Sequence, residues 1–335
     1  MADRPRALLA MSPEFLPLLF PEPLLRRLCD ALDLDPGLIA RDYADPAVQP
    51  VLAEAEVLVS SWGTPRLDAE ALAKAPRLRA VLHAAGTVKS IIGEEGWARG
   101  LAVSSSSGAN ALPVAEYTLA SILMAGKGIF TLREQFRAQR SFELGYVHPG
   151  IGNFGRTIGV IGASKIGRRV IELLRPFDFE VLVADPYLDG AEAAALGAEL
   201  VDLDALVARC DIVSVHAPDL AETAGLIGAE RLAAMKDGAV VVNTARGRLV
   251  DTDALTAEVA AGRLSAVIDV THPEPLPAES PLYDLPNAFL TPHVAGSHGN
   301  ELSRMGLFMV EEAERWARGE ALVHRVDPDT LWRQA

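Results

Sequence analysis

The stretch Thr157–Asp185, TIGVIGASKIGRRVIELLRPFDFEVLVAD, constrains the fold of this chain more than any other part of it. It reads as an apolar strand, a tight glycine turn from Gly162 to Gly167, an amphipathic helix, and a second apolar strand ending on an acid. A strand that passes through such a turn into a helix leaves N–H groups and the positive helix end facing outward, where a phosphate can sit. Asp185 follows Gly162 by 23 residues (185 − 162). A carboxylate at that place accepts from ribose hydroxyls and repels a 2′-phosphate, so the pattern points to NAD rather than NADP. The turn departs from the usual three glycines, because Ser164 stands at the middle position. Its hydroxyl adds bulk but can donate to a phosphate oxygen. Taken alone, the turn could equally serve only strand–helix packing.

The rest of the chain alternates in the same way. Arg6–Met11, Glu56–Ser61, Leu78–His83 and Leu101–Ser104 read as strands, with Pro23–Leu34 and Asp68–Ala75 as helices between them. A single helix is predicted over Pro113–Arg133, with Pro113 in its first turn, and Tyr146–Arg156 as a loop. After Asp185 the runs DIVSVHAP, AVVVNTA, LSAVIDV and NAFLTPH read as further strands, and Gly299–Arg318 as a closing helix. Alternation of this kind predicts parallel sheets covered on both faces. A length of 335 residues predicts two domains.

Composition excludes several classes. Half of the residues are hydrophobic and 23% are charged, which describes a packed globular chain. A formal net charge of −14 argues against a general nucleic-acid or anionic-membrane binder, which needs a basic face. Cys29 and Cys210 stand far apart without neighbouring ligands, so no disulfide framework or metal site is expected and a reducing compartment fits. Pro13, Glu14, Pro17, Pro21 and Glu22 interrupt the apolar beginning, which therefore does not read as a signal peptide. A cytoplasmic location is expected.

Polar residues at three later strand ends carry the chemistry. They are Arg246 in VVVNTARGRLVDTDAL, Asp269 and Glu274 in AVIDVTHPEPLP, and His293 in NAFLTPHVAG. Ligands of doubly wound sheets bind beyond the carboxyl ends of the strands, so these residues are expected at one crevice. A guanidinium fork matches a carboxylate, and an imidazole exchanges a proton near neutral pH. Taken singly, Arg246 reads as a solvated surface residue, Asp269 as a cap and Glu274 as an exposed charge. Trp62 and Tyr117 could line a pocket or simply pack.

With NTARG at Asn243–Gly247, Ala254-Leu255, Asp269-Val270, Glu274-Pro275, Thr291-Pro292-His293 and GANALPVAE at Gly108–Glu116, nearly the whole chain resembles the D-isomer-specific 2-hydroxyacid dehydrogenases. The resemblance implies two doubly wound α/β domains, a Rossmann-type NAD domain (residues 123–296) inserted into a flavodoxin-like substrate domain (1–122 with 297–335). It implies reversible hydride transfer between NAD(H) and a 2-hydroxy or 2-keto acid, giving the D-(R) isomer, and a homodimer. Arg246 would clamp the substrate carboxylate, His293 would be the acid and base, and Glu274 would orient the His293 ring. Cofactor contacts are expected from Gly162, Ser164, Lys165, Ile166, Asp185, His216, Ala217, Pro218, Thr244, Ala245, Asp269 and His293. Ala85, Gly86 and Thr87 would meet the carboxylate together with Arg246. Around Gly86 the chain departs from the family, with AAGTVKSII placing Lys89 where an acid is usual. A nucleotide sensor without catalysis, and a formate dehydrogenase, are the competing expectations. The complete set of Arg246, Glu274 and His293 weighs against the first and Glu274 against the second.

Overall fold

The computed structural model describes residues 4–141 and 150–331. They form two compact units. One comprises the residues up to Asn110 together with those from Ser297 onward, and the other is Ala111–Gly296.

The first unit is a parallel sheet of β1 (Ala7–Ala10), β2 (Ile39–Ala40), β3 (Val57–Ser60), β4 (Ala80–His83) and β5 (Ala102–Ser105), in the order β2-β1-β3-β4-β5. That order is the flavodoxin-like one. Strand residues point alternately to its two faces. Leu8, Leu58 and Val81 enter one core, whereas Leu9, Val59 and Leu82 enter another that includes Met305, Met309 and Val310 of the helix Leu302–Ala317. Both faces are covered, so these strands are largely apolar, and the polar residues that end them, Ser60, His83, Ser104 and Ser105, are buried as well.

The second unit holds β6 (Thr157–Ile161), β7 (Glu180–Ala184), β8 (Glu199–Leu200), β9 (Ile212–Val215), β10 (Val240–Asn243), β11 (Ser265–Ile268) and β12 (Ala288–Leu290). All are parallel, in the order β12-β11-β10-β9-β6-β7-β8. This is the Rossmann-type order with one further strand, and the order reverses beside β6. The helix Lys165–Leu174 buries Gly167, Val170, Ile171 and Leu174, a spacing that makes one apolar stripe against the sheet.

Three expectations change. The helix predicted over Pro113–Arg133 is two helices, Ser107–Gly126 and Ile129–Gln139, broken where Gly128 adopts φ +62°. Pro113 lies inside the first of these rather than in its first turn, so the carbonyl four residues earlier lacks its usual donor there. The predicted closing helix begins as a short 3-10 turn, Gly299–Glu301, before Leu302–Ala317. Of the predicted loop Tyr146–Arg156, residues 146–149 lie outside the described residues, and 150–156 are irregular. Among the described residues no helix is long and apolar enough to cross a membrane.

Candidate active site

The glycine turn leaves the end of β6 beside the end of β9. Gly162 has φ +94°, and a Cβ on it would lie 2.8 Å from the backbone of both His216 and Ala217. A Cβ on Gly167 would collide with the Gly162 carbonyl. Both positions therefore exclude a side chain, and the helix is drawn tightly onto the turn. Ser164 is the N-cap of the helix Lys165–Leu174, with φ −65° and its Oγ accepting from the Gly167 N–H at 3.3 Å. That extended backbone needs no glycine, which explains how a serine is accommodated at the middle position. Lys165 and Ile166 form the first turn, where helix N–H groups have no intrahelical acceptor. Burial holds the Lys165 ammonium below its ordinary pKa.

Asp185 follows β7, and its carboxylate accepts from Ala163 N at 2.6 Å and Tyr187 N at 2.8 Å. Its charge is thereby anchored at the mouth of the turn. His216 follows β9 and is fully buried. Its Nε2 lies 2.9 Å from Ser214 Oγ, and its Nδ1 has no hydrogen-bond partner among the described residues. Burial lowers its pKa to about 3, so the ring is neutral. Ala217 is buried and Pro218 half-buried beside it. Glycines that admit no Cβ, a capped helix N-terminus and a fixed carboxylate at the neighbouring strand end fit a dinucleotide.

The loop after β10 carries Thr244, Ala245 and Arg246. Asn243 shapes it, because its Oδ1 accepts from Ala245 N at 3.1 Å and its Nδ2 donates to the Arg246 carbonyl at 2.9 Å. A Cβ on Gly247 would collide with the carbonyl of Thr271, so only glycine lets the loops after β10 and β11 pack together. Arg246 is half-buried and spends one Nη1 hydrogen bond on the Ala245 carbonyl, at 2.6 Å. Thr244 is buried, with its Oγ1 3.0 Å from that of Thr118.

Asp269, just after β11, is a buried carboxylate with three donors. Its Oδ1 accepts from Thr291 Oγ1 at 2.6 Å and Val294 N at 2.8 Å, and its Oδ2 from Ala295 N at 2.9 Å. These bonds straddle His293, whose φ of +56° lies in the left-handed region that non-glycine residues seldom occupy. Its N–H is held by the Asp269 and Thr291 carbonyls at 2.9 and 3.0 Å. The His293 Nδ1 lies 2.9 Å from Glu274 Oε1, and both side chains are about half exposed. A cavity of about 860 Å³ opens beside this pair, bounded by Phe130, Arg133, Leu276 and Tyr283 among others.

Arg246, Asp269, Glu274 and His293 thus stand at the carboxyl ends of β10, β11 and β12, which are adjacent strands. Ala85, Gly86 and Thr87 belong to the first unit, after β4. Ala85 is buried, and Gly86 and Thr87 are half-buried. Trp62 of that unit packs on Phe15, with ring centroids 5.1 Å apart. Asn243, Gly247 and Thr291 enter the sequence reading only as members of the NTARG and TPH runs, and their roles come from the packing of the loops. Among the described residues no group of three or more His, Cys, Asp or Glu side chains could hold a metal ion.

A seven-stranded parallel sheet with a phosphate turn at its order reversal, and ionisable groups at the neighbouring strand ends, defines a dinucleotide-dependent α/β oxidoreductase. The chain belongs to the D-isomer specific 2-hydroxyacid dehydrogenases, whose NAD binding domain matches residues 119–295. It is 38% identical over 272 residues to a D-3-phosphoglycerate dehydrogenase of Mycobacterium bovis, covering 80% of this chain and 50% of that protein. The chain therefore spans about half the length of that relative. A glyoxylate reductase of Korarchaeum cryptofilum is 31% identical over 319 residues, covering 93% of this chain and 94% of that one. The crystal structure of a phosphoglycerate oxidoreductase from Rhizobium etli superposes with a TM-score of 0.84 at 26% identity, covering 98% of this chain and all of the other.

Proposed function

We propose that the chain catalyses reversible, NAD-dependent hydride transfer on a small 2-hydroxy or 2-keto acid, with the D-(R) isomer as the alcohol. The observation that carries this reading is the His293 Nδ1 to Glu274 Oε1 contact of 2.9 Å, on a loop pinned by Asp269. Nδ1–H donating to the carboxylate sets the tautomer and leaves Nε2 to exchange a proton with the substrate 2-oxygen. Arg246 uses one N–H on the Ala245 carbonyl, and the remaining fork holds the substrate carboxylate in a bidentate way. When bound, NAD supplies the hydride acceptor. Gly162, Ser164, Lys165 and Ile166 hold its pyrophosphate, and Asp185 accepts from its ribose hydroxyls and favours NAD over NADP. His216, Ala217, Pro218, Thr244 and Ala245 would line the same site, and Asp269, whose Oδ2 accepts from Ala295 N, would take the carboxamide. Ala85, Gly86 and Thr87 are assigned to substrate binding on the family resemblance.

The test is His293→Ala. NADH binding, read by fluorescence titration, is expected to persist while reduction of glyoxylate, hydroxypyruvate, pyruvate and aromatic keto acids is lost. Normal turnover would overturn the proton-transfer role. A homodimer is also proposed, supported by the exposed apolar side chains Ile129, Phe136 and Phe289 of the second unit. Phe136→Lys is expected to halve the sedimentation mass.

A further inference from the structure

Two consecutive hydroxyl side chains of the helix Ser107–Gly126 reach the two loops that carry the proposed catalytic pair. Tyr117 Oη lies 2.7 Å from Thr291 Oγ1, two residues before His293. Thr118 Oγ1 lies 3.0 Å from Thr244 Oγ1, two residues before Arg246. We propose that Tyr117 and Thr118 are positioning residues for the reaction, setting the loop of His293 and the loop of Arg246 in one register on a single helix turn. This rests on the reading of His293 and Arg246 given above.

Proton accounting fixes the direction of each bond. The single hydroxyl proton of Thr291 goes to the Asp269 carboxylate, an acceptor only, so Tyr117 must be the donor to Thr291. The Thr118 proton goes to the Val114 carbonyl at 2.8 Å, so Thr244 must donate to Thr118. One residue therefore donates a hydrogen bond to the first loop while its neighbour accepts one from the second. Thr118 and Thr244 are buried, so neither has water as a substitute partner. Through Thr291 the tyrosine reaches the same carboxylate that straddles the left-handed His293. A change at Tyr117 is thus transmitted to the ring orientation of His293 and not to the glycine turn. Phenylalanine would fill the same volume, so what Tyr117 adds is the hydroxyl. A tyrosine hydroxyl is protonated at neutral pH, and burial raises the Tyr117 pKa further.

The test compares Tyr117→Phe, Thr118→Val and Thr118→Ser with the unaltered protein and with His293→Ala. Tyr117→Phe and Thr118→Val are each expected to lower kcat about ten-fold, the loss of one buried hydrogen bond, with NADH affinity and KM within about two-fold. Thr118→Ser, which keeps the hydroxyl, is expected to restore most of kcat. In ¹⁵N-histidine-labelled protein, the ring resonances that vanish in His293→Ala identify His293, and they are expected to shift in Tyr117→Phe. Unmoved His293 resonances with unchanged kcat in Tyr117→Phe would overturn the proposal. Normal turnover by His293→Ala would instead overturn the catalytic reading, while the resonances would still report whether Tyr117 governs the loop.

Discussion

Gly162 carries two constraints at once, a φ of +94° and a backbone neighbour 2.8 Å from where its Cβ would stand. Gly162→Ala must both strain the backbone and push β9 away from β6. The expected cost is roughly 1–3 kcal/mol of stability, with at least a ten-fold weaker NADH affinity, measured by urea denaturation and fluorescence titration. A near-normal affinity would show that the turn does not shape the phosphate site. Asp269 is a different kind of single-residue constraint, since its three donors are all committed to the loop around His293. Asp269→Asn removes the charge and turns an N–H₂ toward a donor, so a loss of roughly 1–3 kcal/mol and a large fall in kcat are expected. The acid at 269 and the histidine at 293 were readable as strand-end polar residues. What could not be read was that the first holds the second, because the bond pattern depends on loops 22 to 26 residues apart meeting in space.

Ser164 shows what changes at the scale of an element. As a member of a glycine pattern it looks like a defect, yet as an N-cap with an extended backbone it is a favoured residue. Ser164→Ala is expected to cost about 1 kcal/mol, whereas Ser164→Gly should cost only a few tenths. Equal losses in thermal unfolding would argue against the cap. The strands β1, β3 to β7 and β9 to β12 were legible as short apolar runs between helical patterns, most plainly where Val and Ile follow one another as in β6 and β10. The strands Ile39–Ala40 and Glu199–Leu200 were not, as two residues display no period. The break between Gly126 and Ile129 falls at Gly-Lys-Gly between two apolar runs, and its sharpness comes from the positive φ of Gly128 at the start of the second helix.

Among the described residues, each unit buries a histidine whose ring is neutral in the folded chain, His83 in the first and His216 in the second. Burial lowers the pKa of His83 in the first unit to about 4 and that of His216 in the second to about 3. The ordinary histidine pKa is 6.5, so each unfolded ring takes up a proton below that value while the folded ring does not. Their contribution is complete above pH 6.5 and is lost as pH falls toward 4 for His83 and 3 for His216, by up to about 1.4 kcal/mol per pH unit for each. The urea midpoint is therefore expected to fall between pH 6.5 and 4, and His83→Gln should flatten that dependence for the first unit. A midpoint independent of pH over this range would contradict the buried neutral rings. By itself the sequence determined the alternating α/β architecture and the nucleotide turn, because periodicity and motif spacing are local properties of the chain, and it offered Arg246, Glu274 and His293 as candidates through the family resemblance. Only the tertiary structure decided that Gly247 admits no Cβ beside Thr271, and that Tyr117 reaches Thr291 and Thr118 reaches Thr244. Those are contacts between residues distant in sequence, and their hydrogen-bond directions follow from which donors the fold leaves with a single available acceptor.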